Sequence, residues 1–326
     1  MEYRTLGKTG LKVSAIGLGS WPIGGLVGGV IGERVKRIPK GWAGAVDDES
    51  IRTIRRAEDL GINLLHSSEI YGGGHAESIV GLAIRGRRDK FVIATKVRPL
   101  VEDDNLDNAA RRIREALEGS LARLQTDYVD VHQLHTLPNE KTIPAVMDTY
   151  ERLKKEGKVK WVGISSNEQD GIKKLLACSD MMAVVMIGYN LMHRDDEIVK
   201  FTLANNMGTM VISPFQQGAL TGQWFGKAPQ LDPMDKRYDS FKSPGAVAAF
   251  KKLAELEYLK AGGRRTMAQA TLRFILDSPG ISTILTGAMR PSEIEENAGA
   301  AGVPPLSADE RARAMAIGDA ARELWK

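Results

Sequence analysis

The sequence predicts a (β/α)8 barrel of the TIM type, on three observations. Short apolar runs rich in β-branched residues alternate with longer amphipathic segments, as in a parallel sheet with crossover helices. Eight such runs occur over about 280 residues, the number a closed barrel needs. Two Gly- and Pro-rich stretches that follow strand candidates are far longer than simple connections, and such loops are usually functional. A doubly wound open sheet is the alternative reading. With 326 residues, the chain has room for one large α/β domain, and the barrel takes residues 1–326 as that single domain.

An N-terminal hairpin comes first: Tyr3 to Leu6, the turn "GKTG", then Leu11 to Val13. The eight barrel-strand candidates are "AIGLG" from Ala15, "INLLH" from Ile62, "FVIAT" from Phe91, "YVDVHQLH" from Tyr128, "VKWVGIS" from Val159, "AVVMIG" from Ala183, "TMVIS" from Thr209 and "STILT" from Ser282. Helical patterns lie between them. "DDESIRTIRRAEDLG" has acidic residues in its first turn, complementing the helix dipole, and Gly61 at its end. "DNAARRIREALEGSLARL", "IPAVMDTYERLKKEG" and "NEQDGIKKLLA" have the same apolar period. The long loops, "SWPIGGLVGGVIGERVKRIPKGWAGAV" and "FQQGALTGQWFGKAPQLDPMDKRYDSFKSP", follow strand ends and belong at the C-terminal rim, where barrel enzymes bind substrate.

Apolar residues make up 43% of the chain and charged residues 26%, as in an ordinary globular protein. The net charge of +4 is spread along helical segments instead of forming a tail, which argues against nucleic acid as a partner. No apolar run is long enough to span a membrane, and the N-terminus lacks a signal pattern, so a cytoplasmic protein is expected. The only cysteine, Cys178, sits in the apolar stretch "IKKLLACSDMMAVVM" and is expected in the core. The sequence is compatible with a homo-oligomer.

At the expected rim stand Ser20, Trp21, His66, Lys96, His135, the segment Ser165 to Asn167, and Ser213, with Tyr71 one short loop beyond His66. Burying a lysine ammonium is costly, so Lys96 should be paired or have a shifted pKa. A cation beside a phenol lets tyrosine exchange a proton nearer neutrality, and a neutral imidazole can orient a carbonyl oxygen. Tyr71, Lys96 and His135 therefore suit carbonyl reduction by hydride. His132 lies on the opposite strand face to His135 and is expected to pack, while His75 and His193 read as loop or surface residues. A metal held by His66 and His135 lacks an evident third ligand. Trp42, Trp224, Arg237 and Tyr238, in the long loops, together with Trp21, are candidate substrate contacts.

Nearly from end to end, the chain resembles the aldo-keto reductase superfamily, in "YRTLGKTGLKVSAIGLGSW", "GWAGAVDDESIRTIRRAEDLGINLL", "YGGGHAESIVGLAI", "ATKV", "DYVDVHQLH", "VGISS", "YNLMHR", "SPFQQGALTG" and "GAMRPSEIEENAGA". The resemblance implies a (β/α)8 barrel that binds NADP(H), with NAD(H) as the alternative, across the barrel mouth. The absence of a G-x-G-x-x-G between strand and helix fits that mode. It implies Tyr71 as general acid/base, Lys96 as the residue that tunes it, and His135 as the carbonyl-orienting group. For the cofactor it implies Ser20 and Trp21 near the nicotinamide ribose, and Ser165, Ser166 or Asn167 at the carboxamide. Ser213, Pro214, Phe215 and Gly218 match a pyrophosphate loop, and Gly287, Met289, Arg290, Glu293 and Asn297 the adenosine 2′-phosphate segment. Arg290 precedes a helix expected from Ser292, whose free N–H groups favour an anion.

Three positions depart from the resemblance. His66 stands where an aspartate pairing with the lysine is implied, Met186 where a carboxamide-binding glutamine is implied, and Ile212 where an aromatic stacks on the nicotinamide. A neutral His66 cannot pair with a protonated Lys96 as a carboxylate would. The expectation is a neutral His66, a Lys96 pKa lower than in an aspartate-containing relative, and a Tyr71 proton held more loosely than there. The leading function is an NADP(H)-dependent oxidoreductase interconverting a small aldehyde, ketone or sugar carbonyl and its alcohol. The alternatives are a redox-neutral epimerase or lyase that retains its cofactor, and a cofactor-binding regulatory protein with little turnover.

Overall fold

The computed structural model describes residues 1–26 and 41–326. Eight parallel strands close into a barrel in chain order: β3 (Ile16–Gly19), β4 (Leu64–His66), β5 (Val92–Val97), β6 (Val129–Leu134), β7 (Val159–Ser165), β8 (Met182–Gly188), β9 (Gly208–Ile212) and β10 (Thr283–Gly287), with β10 pairing back onto β3. The hairpin β1 (Tyr3–Thr5) and β2 (Lys12–Ser14) forms separately. It seals one end of the barrel: Leu6 and Val13 are buried with Leu64, Ala94, Val131, Val184 and Leu285 in an apolar cluster distinct from the larger one. The Lys8 N–H donates to the Asn206 carbonyl just before β9.

The connecting helices are α1 (Asp47–Asp59), α2 (His75–Ile84), α3 (Leu106–Leu124), α4 (Ile143–Lys155), α5 (Gln169–Cys178) and α6 (Asp196–Ala204). After β9 come α7 (Tyr238–Lys242), α8 (Pro244–Leu253) and α9 (Met267–Leu276), and after β10 come α10 (Pro291–Gly299) and α11 (Ala308–Trp325). Their apolar faces and the outward faces of the strands make up the larger buried cluster, for example Ile113 and Leu117 of α3 with Leu134 of β6. Helix α3 starts at the Asn105 side chain, which accepts the Asn108 N–H at 2.9 Å, satisfying one of the free donors of the first turn.

Two local expectations change. Cys178 is exposed: it is the last residue of α5, beyond the buried positions Gly171, Ile172 and Leu175, so the helix end leaves it in solvent although it lies on their side of the helix. Helix α10 begins at Pro291, not Ser292, with Arg290 as its N-cap, since proline suits the first helical turn. Of the first long loop, residues 27–40 lie outside the described residues.

Candidate active site

Side chains alternate along a strand, so residues two apart share the barrel interior. The apolar layer of Leu64, Ala94 and Val131 is therefore followed, one pleat nearer the C-terminal end, by His66 on β4, Lys96 on β5 and Gln133 on β6. Lys96 and Gln133 are register partners. All three are buried, with Lys96 only 1% exposed. His135, one residue past β6, continues the same face.

Tyr71 comes from the loop after β4. Its "YGGG" segment holds Gly72, Gly73 and Gly74 at positive φ, and Gly72 packs directly on the Gly24 backbone, where a Cβ would collide with the carbonyl oxygen. This contact fixes the loop against the turn after β3, and the Trp21 ring meets the Tyr71 ring edge-on at 4.7 Å between centroids. Lys96 Nζ donates to Tyr71 Oη at 2.5 Å. Among the described residues Lys96 has no carboxylate partner, and Glu77, the buried carboxylate of α2, is instead held by Thr95 and Arg123.

The His66 Nε2 lies 3.1 Å from Gln133 Oε1. Ser68 Oγ approaches His135 Nδ1 at 3.5 Å, and the Tyr71 and His135 rings are 6.4 Å apart. Burial lowers the Lys96 pKa to about 7. His135 is lowered to about 4, by burial first and then by Lys96 and Arg98. His66 falls well below its ordinary range, through burial and then the charge of Lys96. Both imidazoles are neutral at physiological pH, as expected of His66. Burial raises the Tyr71 pKa, so its proton is held more tightly than that of a free phenol. Desolvation of a phenolate outweighs a neighbouring lysine that is itself half neutral near pH 7.

Tyr71, His66 and His135 line one end of a cavity of about 770 Å³ whose wall also includes Met289, Arg290 and Glu293 at the start of α10 and Asn297 two turns along it. Trp21, Trp42, Ile212, Ser213, Pro214, Phe215, Gly218, Trp224 and Gly287 also line it. Lys96 stands behind Tyr71. Ser20 is buried and donates to Ser67 Oγ. Ser165, Ser166, Asn167, Met186 and Tyr238 are not in the lining. Ser166 Oγ accepts the Glu168 N–H, and Asn167 donates to Asp195. Met186 is enclosed in the barrel interior, and the Tyr238 ring faces Lys242 at 3.6 Å. His132 packs on Tyr150 of α4, with its Nδ1 3.0 Å from the phenol. Among the described residues no group of three His, Cys, Asp or Glu side chains is arranged for a metal, and no helix is long and apolar enough to cross a membrane.

Two features escape motif reading. Gln133 shares the inward face with His135, which the period-two alternation of "HQLH" encodes. The second is a strap across the rim, in which Asp235 takes Nε and Nη2 of Arg237 at 2.8 Å each and accepts the Ala43 N–H from the other long loop. The Arg237 guanidinium lies 4.1 Å from the Trp42 ring and 5.3 Å from Trp224. No local spacing signals that the two loops meet.

The family model for the Aldo/keto reductase family matches residues 31–319. An aldo-keto reductase of Bacillus subtilis (strain 168), YhdN, is 32% identical over 90% of this chain and 87% of its own length. The NADH-specific methylglyoxal reductase of Escherichia coli (strain K12) is 28% identical over 95% of this chain and 96% of its own. Among solved structures, the aldo-keto reductase AKR11C1 of Bacillus halodurans in its holo form superposes with a TM-score of 0.74 at 26% identity, over 97% of this chain and 96% of that one. The family's model spans most of the sequence, and the closed barrel has the architecture of these relatives, so the chain belongs to the aldo/keto reductase family.

Proposed function

We propose that the protein is an NADP(H)-dependent oxidoreductase interconverting a small carbonyl compound and its alcohol, with Tyr71 as the proton-transferring group. The observation that carries the reading is the Lys96 Nζ to Tyr71 Oη hydrogen bond of 2.5 Å at one end of the large cavity. A nicotinamide dinucleotide, when bound, supplies or accepts the hydride. The lining suits such a group. At the far end α10 opens without a side-chain cap on its N–H groups, next to the exposed Arg290, and that arrangement favours an anion. Glu293, in the same wall, is turned to accept the Met289 N–H at 2.8 Å. Ser213 to Gly218 would hold the middle of the molecule, and Arg290 a 2′-phosphate.

In reduction, Tyr71 Oη gives its proton to the carbonyl oxygen as negative charge develops there. The Lys96 ammonium, hydrogen-bonded to Oη, stabilises the phenolate left behind. His135, neutral at working pH, orients the oxygen without competing for the proton. In oxidation the same proton returns to Oη.

Purified protein should consume NADPH with a panel of aldehydes, ketones and sugar carbonyls. Tyr71→Phe should lower kcat by roughly 10²- to 10⁴-fold with little change in cofactor affinity. No turnover of either NADPH or NADH by the unmodified protein would count against the reading. Arg290→Ala should weaken NADPH binding about tenfold and leave NADH binding unchanged, measured by fluorescence titration. Equal loss of both would remove Arg290 from the phosphate site.

A further inference from the structure

Gln133 is fully buried, and its amide Nε2 is one of three enclosed side-chain polar atoms that lack a hydrogen-bond partner among the described residues. A buried donor without an acceptor opposes folding, and a leucine would fill similar space without that cost. What Gln133 engages is the His66 ring, through Oε1 at 3.1 Å from Nε2. An amide oxygen only accepts, so this contact requires the proton on Nε2. His66 also lines the cavity, and with Nε2 engaged, Nδ1 is the ring nitrogen open to it. The titratable groups acting on the ring are Lys96 of β5 and His135 after β6. Both oppose an imidazolium, the lysine by its charge. An Nδ1 lone pair is the favourable polarity in a site holding the Lys96 cation, whereas an Nδ1–H would set donor against donor.

We propose that Gln133 is a positioning residue that fixes His66 as the neutral Nε2–H tautomer, so that Nδ1 is an acceptor offered to the cavity beside Tyr71 and Lys96. Only its kinetic consequence rests on the oxidoreductase reading; the tautomer is a property of the resting protein. Turning the amide by 180° would place its NH2 against Nε2 and the proton on Nδ1, so the tautomer is the deciding observable.

The test uses the full-length protein labelled with 15N-histidine, with His66 assigned by comparison with His66→Asn. Long-range 1H–15N spectra between about pH 5.5 and 8.5 should give His66 a protonated Nε2 and a bare Nδ1 that do not titrate. Gln133→Leu should mix the tautomers and lower kcat about three- to tenfold, the loss of one buried hydrogen bond, with KM nearly unchanged. Gln133→Glu keeps an acceptor for Nε2–H and should restore the tautomer. A wild-type His66 carrying its proton on Nδ1, or a tautomer unchanged in Gln133→Leu, overturns the proposal. Where Gln133→Leu does not fold, the wild-type and Gln133→Glu spectra decide. An Nε2–H tautomer in a protein that turns over no carbonyl refutes the enzymatic reading alone.

Discussion

Replacing Lys96 by methionine is expected to stabilise the protein below pH 7 while removing its carbonyl chemistry. The Lys96 pKa moves from its ordinary 10.5 to about 7 on folding. At about 1.4 kcal/mol per tenfold in the proton equilibrium, the charged form is about 4 to 5 kcal/mol costlier in the fold than in the unfolded chain. The sign follows from proton counting. Between about pH 7 and 10.5 the unfolded chain binds more protons at this site than the folded one, so the lysine's contribution to stability rises with pH across that window. Below it the penalty is present in full. Methionine fills the same tube of space without charge and loses the bond to Tyr71, worth about 1 kcal/mol, which leaves a net gain of about 3 kcal/mol at pH 6. Thermal unfolding should show this as a midpoint higher by roughly 4 °C, with the gap closing as pH approaches 10. A variant less stable than the parent at pH 6 would mean that Lys96 has a compensating partner.

His66→Asp should move the pH dependence of carbonyl reduction. In the natural chain the ammonium that stabilises the Tyr71 phenolate is lost as pH rises through about 7, so reduction should decline on the alkaline side of neutrality. A carboxylate beside Lys96 favours the charged form and raises its pKa by about 1 to 3 pH units. The alkaline limb of kcat/KM should move upward by that amount, so that at pH 8.5 the variant outperforms the parent. Alcohol oxidation, which needs the proton-accepting form of the pair, should have its acid limb moved upward by the same pKa change, so that at pH 8.5 the variant is the slower of the two in that direction. A profile that stays in place would assign His66 no electrostatic part in the chemistry.

Much of the architecture could be read from the sequence because it rests on local periodicity. Each barrel strand is a short apolar run, and each helix has an apolar stripe with its own start signals. Lys96 was legible for the same reason, as a charged residue written into a buried strand. Cys178 is exposed because α5 ends there, and where a helix stops relative to its neighbours is not written in an apolar window that also contains the buried Ile172 and Leu175. The burial that dominates the Tyr71 pKa is a property of the assembled loops and not of the residues beside it in sequence. The clasp of Arg237 by Asp235 is internal to one loop, but its reach to Trp42 and Ala43 is tertiary and leaves no trace in spacing.

The pairing of β10 with β3 sets an order of events during synthesis. Thr286 Oγ1 donates to the Gly17 carbonyl at 3.1 Å, across 269 positions of chain. Until residues 283–287 leave the ribosome, β3 and whichever strand is newest are open edges, with the apolar interior of the barrel unsealed. At 5 to 20 residues per second, that exposure lasts from about a quarter of a minute to about a minute. The nascent chain is thus most prone to pairing with strangers just before completion, and shielding by chaperones matters most in that interval.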